Sequence, residues 1–167
     1  MIITTDFTVS GFGKRWAHCH QLANYLARYA SASENDPERS STLLSTFFNE
    51  LLEAIYRNHA KQGQIRISFW RQREKIVLQA EIPVDDGSLD FYRRAVELMG
   101  QPDPMNWYRD RLENDLSEDE AMALGLLELN VVYGAKLSIA DVKSGGERGG
   151  QLVLLVVDFP FTELDEV

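Results

Sequence analysis

The sequence predicts an α/β two-layer sandwich: a mixed, largely antiparallel sheet with helices on one face. Two observations carry that expectation. Residues 65–70 (IRISFW) and 75–84 (KIVLQAEIPV), and again 136–142 and 151–159 (QLVLLVVDF), form pairs of apolar segments joined by short charged or glycine-rich turns, the pattern of antiparallel hairpins. Before and between the pairs lie stretches whose apolar residues recur at helical spacing. A chain of 167 residues, 44% hydrophobic and 26% charged, suits one domain with a sizeable core. No repeat or linker divides it.

Taken in order, residues 1–10 (MIITTDFTVS) have the β-branched content of a first strand, broken by Gly11 and Gly13. A helix over 14–30 aligns Trp16, Cys19, Leu22, Ala23, Leu26 and Ala30. His18 and His20, two apart, point to nearly opposite sides of it and do not converge on a metal. Residues 31–41 are polar and read as an exposed loop. Residues 43–60 (LLSTFFNELLEAIYRNHA) form one amphipathic helix, its stripe made by Leu43, Phe47, Leu51 and Ile55 and widened by Leu44 and Phe48. Glu50 lies on the stripe's margin, either lifted to solvent or held half-buried for a purpose.

Asp85-Asp86-Gly87 follows the second strand of the first hairpin as a turn. Asp90 caps a helix over 91–99 that stops at Gly100, and Asp103 caps a second, with Pro104 at its first position. Phe91, Tyr92, Trp107 and Tyr108 read as packing residues of these helices. Ser117 and Glu120 have capping-box spacing, and residues 121–133 are apolar nearly all round, hence a buried helix ended by Gly134. The glycine-rich 145–150 turn joins two strands and precedes no helix, which rejects a P-loop. The last strand, apolar on both faces, belongs in the middle of the sheet. An acidic tail over 163–167 frays.

A formal net charge of −9 argues against nucleic acid and anionic membrane surfaces and is compatible with a basic protein partner. The single Cys19 rules out an intramolecular disulfide and suits a reducing compartment. With no signal peptide and no apolar run of transmembrane length, the expected location is cytoplasmic.

The run Asn49-Glu50-Leu51-Leu52-Glu53-Ala54 resembles the first signature of the GHKL (Bergerat-fold) ATPases, most of all the small anti-sigma-factor kinases and SiaB-type regulators. Val84-Asp85-Asp86-Gly87-Ser88-Leu89 stands where that family carries its D-x-G-x-G box. Ala123-Leu124-Gly125-Leu126, followed by Tyr133-Gly134-Ala135, is similar to its third box. The resemblance spans almost all of residues 1–167 as one domain, with 90–116 in the place of the ATP lid. It implies binding of ATP or ADP, with Glu50 as general base, Asp85 and Gly87 as adenine contacts and Gly125 as a phosphate neighbour. Three departures stand out. Ala54 replaces the asparagine that holds Mg²⁺, with Asn58 one turn further as a substitute ligand; Leu89 replaces a glycine; and only Gly125 remains of a glycine pair. Phosphoryl transfer relies on charge neutralisation at the γ-phosphate, so a serine/threonine kinase or ATPase activity is expected to be weak. The implied role is a bacterial partner-switching regulator that controls or phosphorylates a small partner such as a STAS-domain antagonist. The alternative is a catalytically dead adaptor acting by protein binding alone. A homodimer is compatible with either.

Overall fold

The computed structural model describes residues 2–12, 17–32, 36–72, 75–113, 118–145 and 150–160. In chain order these form β1 (Ile2–Thr8), α1 (Val9–Phe12), α2 (Ala17–Ser31), α3 (Pro37–Arg57), β2 (Gln64–Gln72), β3 (Lys75–Val84), α4 (Asp86–Met99), α5 (Pro104–Leu112), α6 (Glu118–Tyr133), β4 (Lys136–Gly145) and β5 (Gly150–Pro160). The sheet runs β1-β2-β3-β5-β4 and every neighbouring pair is antiparallel. The mixed sheet expected from sequence is thereby corrected to a fully antiparallel one among the described strands. Two hairpins make four of the strands, β1 returns antiparallel to β2, and β5 folds back inside β4 to meet β3, so no parallel crossover arises.

Period-2 alternation builds the core. Ile65, Ile67 and Phe69 of β2, Ile76, Leu78, Ala80 and Ile82 of β3, and Val153, Leu155, Val157 and Phe159 of β5 point to one face, where they meet the stripe of α3. Aromatic contacts pin that stripe: the Phe47 and Phe159 ring centroids lie 4.4 Å apart, and those of Phe48 and Phe69 5.7 Å. Helix α2 packs along α3, while α6 touches α3, α4 and α5.

Several boundaries differ from the sequence reading, for local reasons. Helix α3 begins at Pro37, not 43, because Asp36 caps it by accepting from the Arg39 amide; part of the expected loop is helix. Helix α4 begins at Asp86. Its cap is Asp85 rather than Asp90, which sits inside the helix and pairs with Arg93 at 3.5 Å. The first strand ends at Thr8, since Val9 opens the short α1 and donates its amide to the Gly63 carbonyl. Strand β5 is interior but second from the edge; β3 holds the centre. The Asp103–Pro104 start of α5 is as expected, with Asp103 Oδ1 accepting from the Asn106 amide at 3.0 Å. Gly134, at φ 65°, ends α6. The Ser117 capping-box position and the 163–167 tail lie outside the described residues.

The return from α3 to β2 needs glycine at position 63. Its φ is 131°, and a Cβ there would stand 2.8 Å from the Pro83 ring. With the Ala60 amide donating to the Pro83 carbonyl at 2.7 Å, this close approach fastens the C-terminal end of α3 to the end of β3, next to Asp85.

Candidate functional site

Helix periodicity places Glu50, Ala54 and Asn58 on one line along α3. Glu50 is half-buried, while Ala54 and Asn58 are 6% and 8% exposed. The margin position of Glu50 thus resolves toward the interior, facing α6. There Gly125 makes room for it: a Cβ at that position would lie 3.5 Å from Glu50 Oε2. Two candidate residues from distant parts of the chain are brought together.

The electrostatics around Glu50 are acidic. Burial raises its pKa above the ordinary 4.5, and the charges of Glu53 and Glu128 raise it further. Glu128 accepts a hydrogen bond from Tyr108 of α5. Burial, then Glu128, then Glu50 push the Tyr133 phenol up. Burial first and Glu53 second push the Cys19 thiol up to about 11, which keeps it protonated and inert near neutral pH. Sequence reasoning passed over Glu128, Tyr108 and Tyr133 as members of this cluster. The available signal was Glu128 itself, the one charge within the apolar run 121–133, where a buried charge needs a purpose or a partner.

Asp85 and Gly87 lie elsewhere, at the C-terminal end of β3. Asp85 Oδ1 accepts from the Ser88 amide at 2.9 Å and the Ser88 hydroxyl at 2.8 Å, and these two bonds hold its carboxyl below the usual 3.8, with Lys61 a minor contribution. It is exposed at the helix start. Gly87 is in the first turn of α4, and an added Cβ there would make only an ordinary 3.7 Å contact with Asp85 Oδ1.

Ala54, Asn58 and Gly125, the residues expected beside metal and phosphate, fit a metal-bound triphosphate poorly. Asn58 caps α3, and its side-chain amide donates back to the Ala54 carbonyl at 3.0 Å; Ala54 offers no side-chain ligand. Gly125 lies two turns into α6, away from the free amides of the helix start. Among the described residues no group of three His, Cys, Asp or Glu side chains is placed to hold a metal ion, and His20 is paired with Asn24 at 3.1 Å. A cavity of about 340 Å³, lined by Tyr29, Phe69, Trp70, Arg71 and Ile76, opens at the opposite end of the β2–β3 hairpin from Asp85 and includes none of the candidate residues. In the lid-like segment Tyr92 is fully buried and stacks edge-on with Phe91, with centroids 5.2 Å apart. On α5, Trp107 lies under the Arg111 guanidinium at 5.1 Å. No protein-family model matches the chain, and no curated protein does. No described helix is long and apolar enough to cross a membrane.

Proposed function

We propose that this chain is a cytoplasmic nucleotide-binding regulator of the partner-switching, anti-sigma-factor type, which binds ATP or ADP and controls a small STAS-like protein. The juxtaposition of Gly125 and Glu50, whose Oε2 would lie 3.5 Å from a Cβ added at 125, carries the reading, because it joins the elements that resemble the first and third GHKL boxes. An exposed Asp85 at the end of β3, its charged form stabilised by Ser88, supports it, as a hydrogen-bond acceptor for the adenine amino group. Glu50 holds its proton more tightly than a free glutamate, and as general base it would accept the proton of an attacking hydroxyl.

The alternative, an adaptor that retains nucleotide or partner without phosphoryl transfer, is favoured by three observations. The Asn58 amide is engaged by its own helix, Ala54 supplies no ligand, and Glu53 and Glu128 add negative charge where a γ-phosphate would sit. Calorimetric titration with ATP and ADP, each with and without Mg²⁺, tests both. Binding that Asp85→Asn abolishes is expected; asparagine caps helices as well as aspartate does, so the fold is kept. Ala54→Asn should raise ATP turnover if the site is otherwise that of a kinase. Nucleotide binding with no turnover in either protein selects the adaptor. Failure of either nucleotide to bind overturns the nucleotide reading.

A further inference from the structure

The cavity of about 340 Å³ at the end of the β2–β3 hairpin away from Asp85 is built where the helix layer stops. Helix α2 ends at Ser31, whose hydroxyl turns back to donate to the Arg28 carbonyl at 3.3 Å. Ala30 and Ala32, on either side of that serine, line the cavity with side chains too short to fill it. The sheet runs on beneath. Arg71 pairs with Ile76 in the register and Phe69 precedes Arg71 by two, so all three belong to the helix side of the hairpin. A helix layer that ends before its sheet does leaves a chamber between them.

The chamber has an apolar floor and a charge at its rim. Phe69 and Ile76 belong to the core and are 3% and 1% exposed. Tyr29 meets Phe69 edge-on, with ring centroids 6.1 Å apart and planes at 82°. Two perpendicular rings make a corner in which a flat guest stacks on one ring and meets the other by its edge, the two geometries that aromatic pairs favour. Among the described residues that line the chamber Arg71 is the one charge, and it is exposed. A guanidinium carries several N–H donors in a rigid fork and receives a carboxylate bidentately even while it serves a neighbour. No acid stands among the described lining residues to favour a cation instead.

We propose that this chamber is a binding site for a small aromatic carboxylate, its ring held by Tyr29, Phe69 and Ile76 and its carboxylate by the Arg71 guanidinium. The volume stands at the lower end of the roughly 300–1,000 Å³ of small-molecule sites, which suits a guest no larger than a pair of fused rings. The ring corner selects a flat guest over an alkyl chain, and Arg71 selects an acid over an alcohol or an amine. The site is separate from the candidate nucleotide residues, none of which lines it, so it stands or falls independently of them.

Titration of the isotope-labelled full chain with naphthoate, followed by heteronuclear NMR, tests the proposal. The amides of Tyr29, Ala30, Phe69 and Ile76 should shift saturably, with a dissociation constant below about 1 mM, while those of Glu50 and Asp85 stay in place. Naphthylmethanol, which keeps the rings and lacks the charge, should bind about tenfold more weakly, the margin of a charge-assisted hydrogen bond. Octanoate, which keeps the charge and lacks the rings, should also bind more weakly than naphthoate. Arg71→Gln should abolish the preference for naphthoate over naphthylmethanol and leave the affinity for the alcohol unchanged. Ala30→Leu should fill the chamber and remove binding of both. Arg71 is exposed, so its variant decides the matter even if Ala30→Leu does not fold. The absence of saturable shifts, or shifts centred on Glu50 or Asp85, overturns the proposal. So does octanoate or naphthylmethanol binding as tightly as naphthoate, a preference that survives Arg71→Gln, or undiminished binding to a folded Ala30→Leu variant.

Discussion

Glu50 and Asp85 are both carboxylates of the candidate site, and their surroundings drive them in opposite directions. Glu50 sits in the helix layer with Glu53 and Glu128 for company and a glycine for elbow room, so its charged form is disfavoured. Asp85 sits at a helix start, where the Ser88 amide and hydroxyl stabilise its charged form. One takes up a proton more readily than a free carboxyl, the other gives it up more readily. Acid–base work and donor recognition need that separation.

The largest expected effect breaks the link between the two regions. Tyr92 of α4 is fully buried and donates to the Asn58 carbonyl at the end of α3 at 2.8 Å. Tyr92→Phe removes this buried bond and should lower stability by about 1–3 kcal/mol in urea unfolding. Next comes the cap: Asp85→Ala should cost about 1 kcal/mol, while Asp85→Asn stays close to wild type by thermal melting. Equal losses in both would show that the charge, not the capping geometry, matters. Gly125→Ala should change stability by less than about 1 kcal/mol, helix propensity favouring alanine and the new contact with Glu50 opposing it; a large loss would mean the helices cannot yield at that point.

The smallest effect sharpens the comparison by pH. Glu50 has a folded pKa above 4.5, so the folded state binds that proton more tightly and stability declines as pH rises from about 4.5 through the raised value. Glu50→Gln should remove that decline. Asp85 has a folded pKa below 3.8, so its contribution is present above 3.8 and lost as pH falls through the lower value. Asp85→Asn should remove that acid loss. Stability curves that respond to the two variants in the same pH direction would refute the opposed arrangement.

Much of the fold was legible. The first hairpin, the Asp103–Pro104 start of α5 and the Gly134 stop of α6 are local signals, each set by residues within a few positions of one another. Where two local signals competed, the reading went astray. Asp90 and Asp85 are both acceptable caps, and Ser88, which donates to Asp85 through both its amide and its hydroxyl, decided between them. Of the site, Glu50 was visible as a carboxylate on an apolar margin. Its neighbour Glu128 was not, because α3 and α6 meet only in space, with β2, β3, α4 and α5 between them in the chain.

By itself, then, the sequence determined the elements whose causes are near at hand: alternation in the strands, the α3 stripe, caps and glycine stops. Only the tertiary structure decided that Leu152, Leu154 and Val156 of β5 stay outside the core cluster, that the Asn58 amide turns back on its own helix, and that Glu50 shares its surroundings with Glu128. Those outcomes depend on which side of a sheet the helices take and which distant charges become neighbours. Both follow from packing between segments far apart in the chain, where no local pattern specifies the partner.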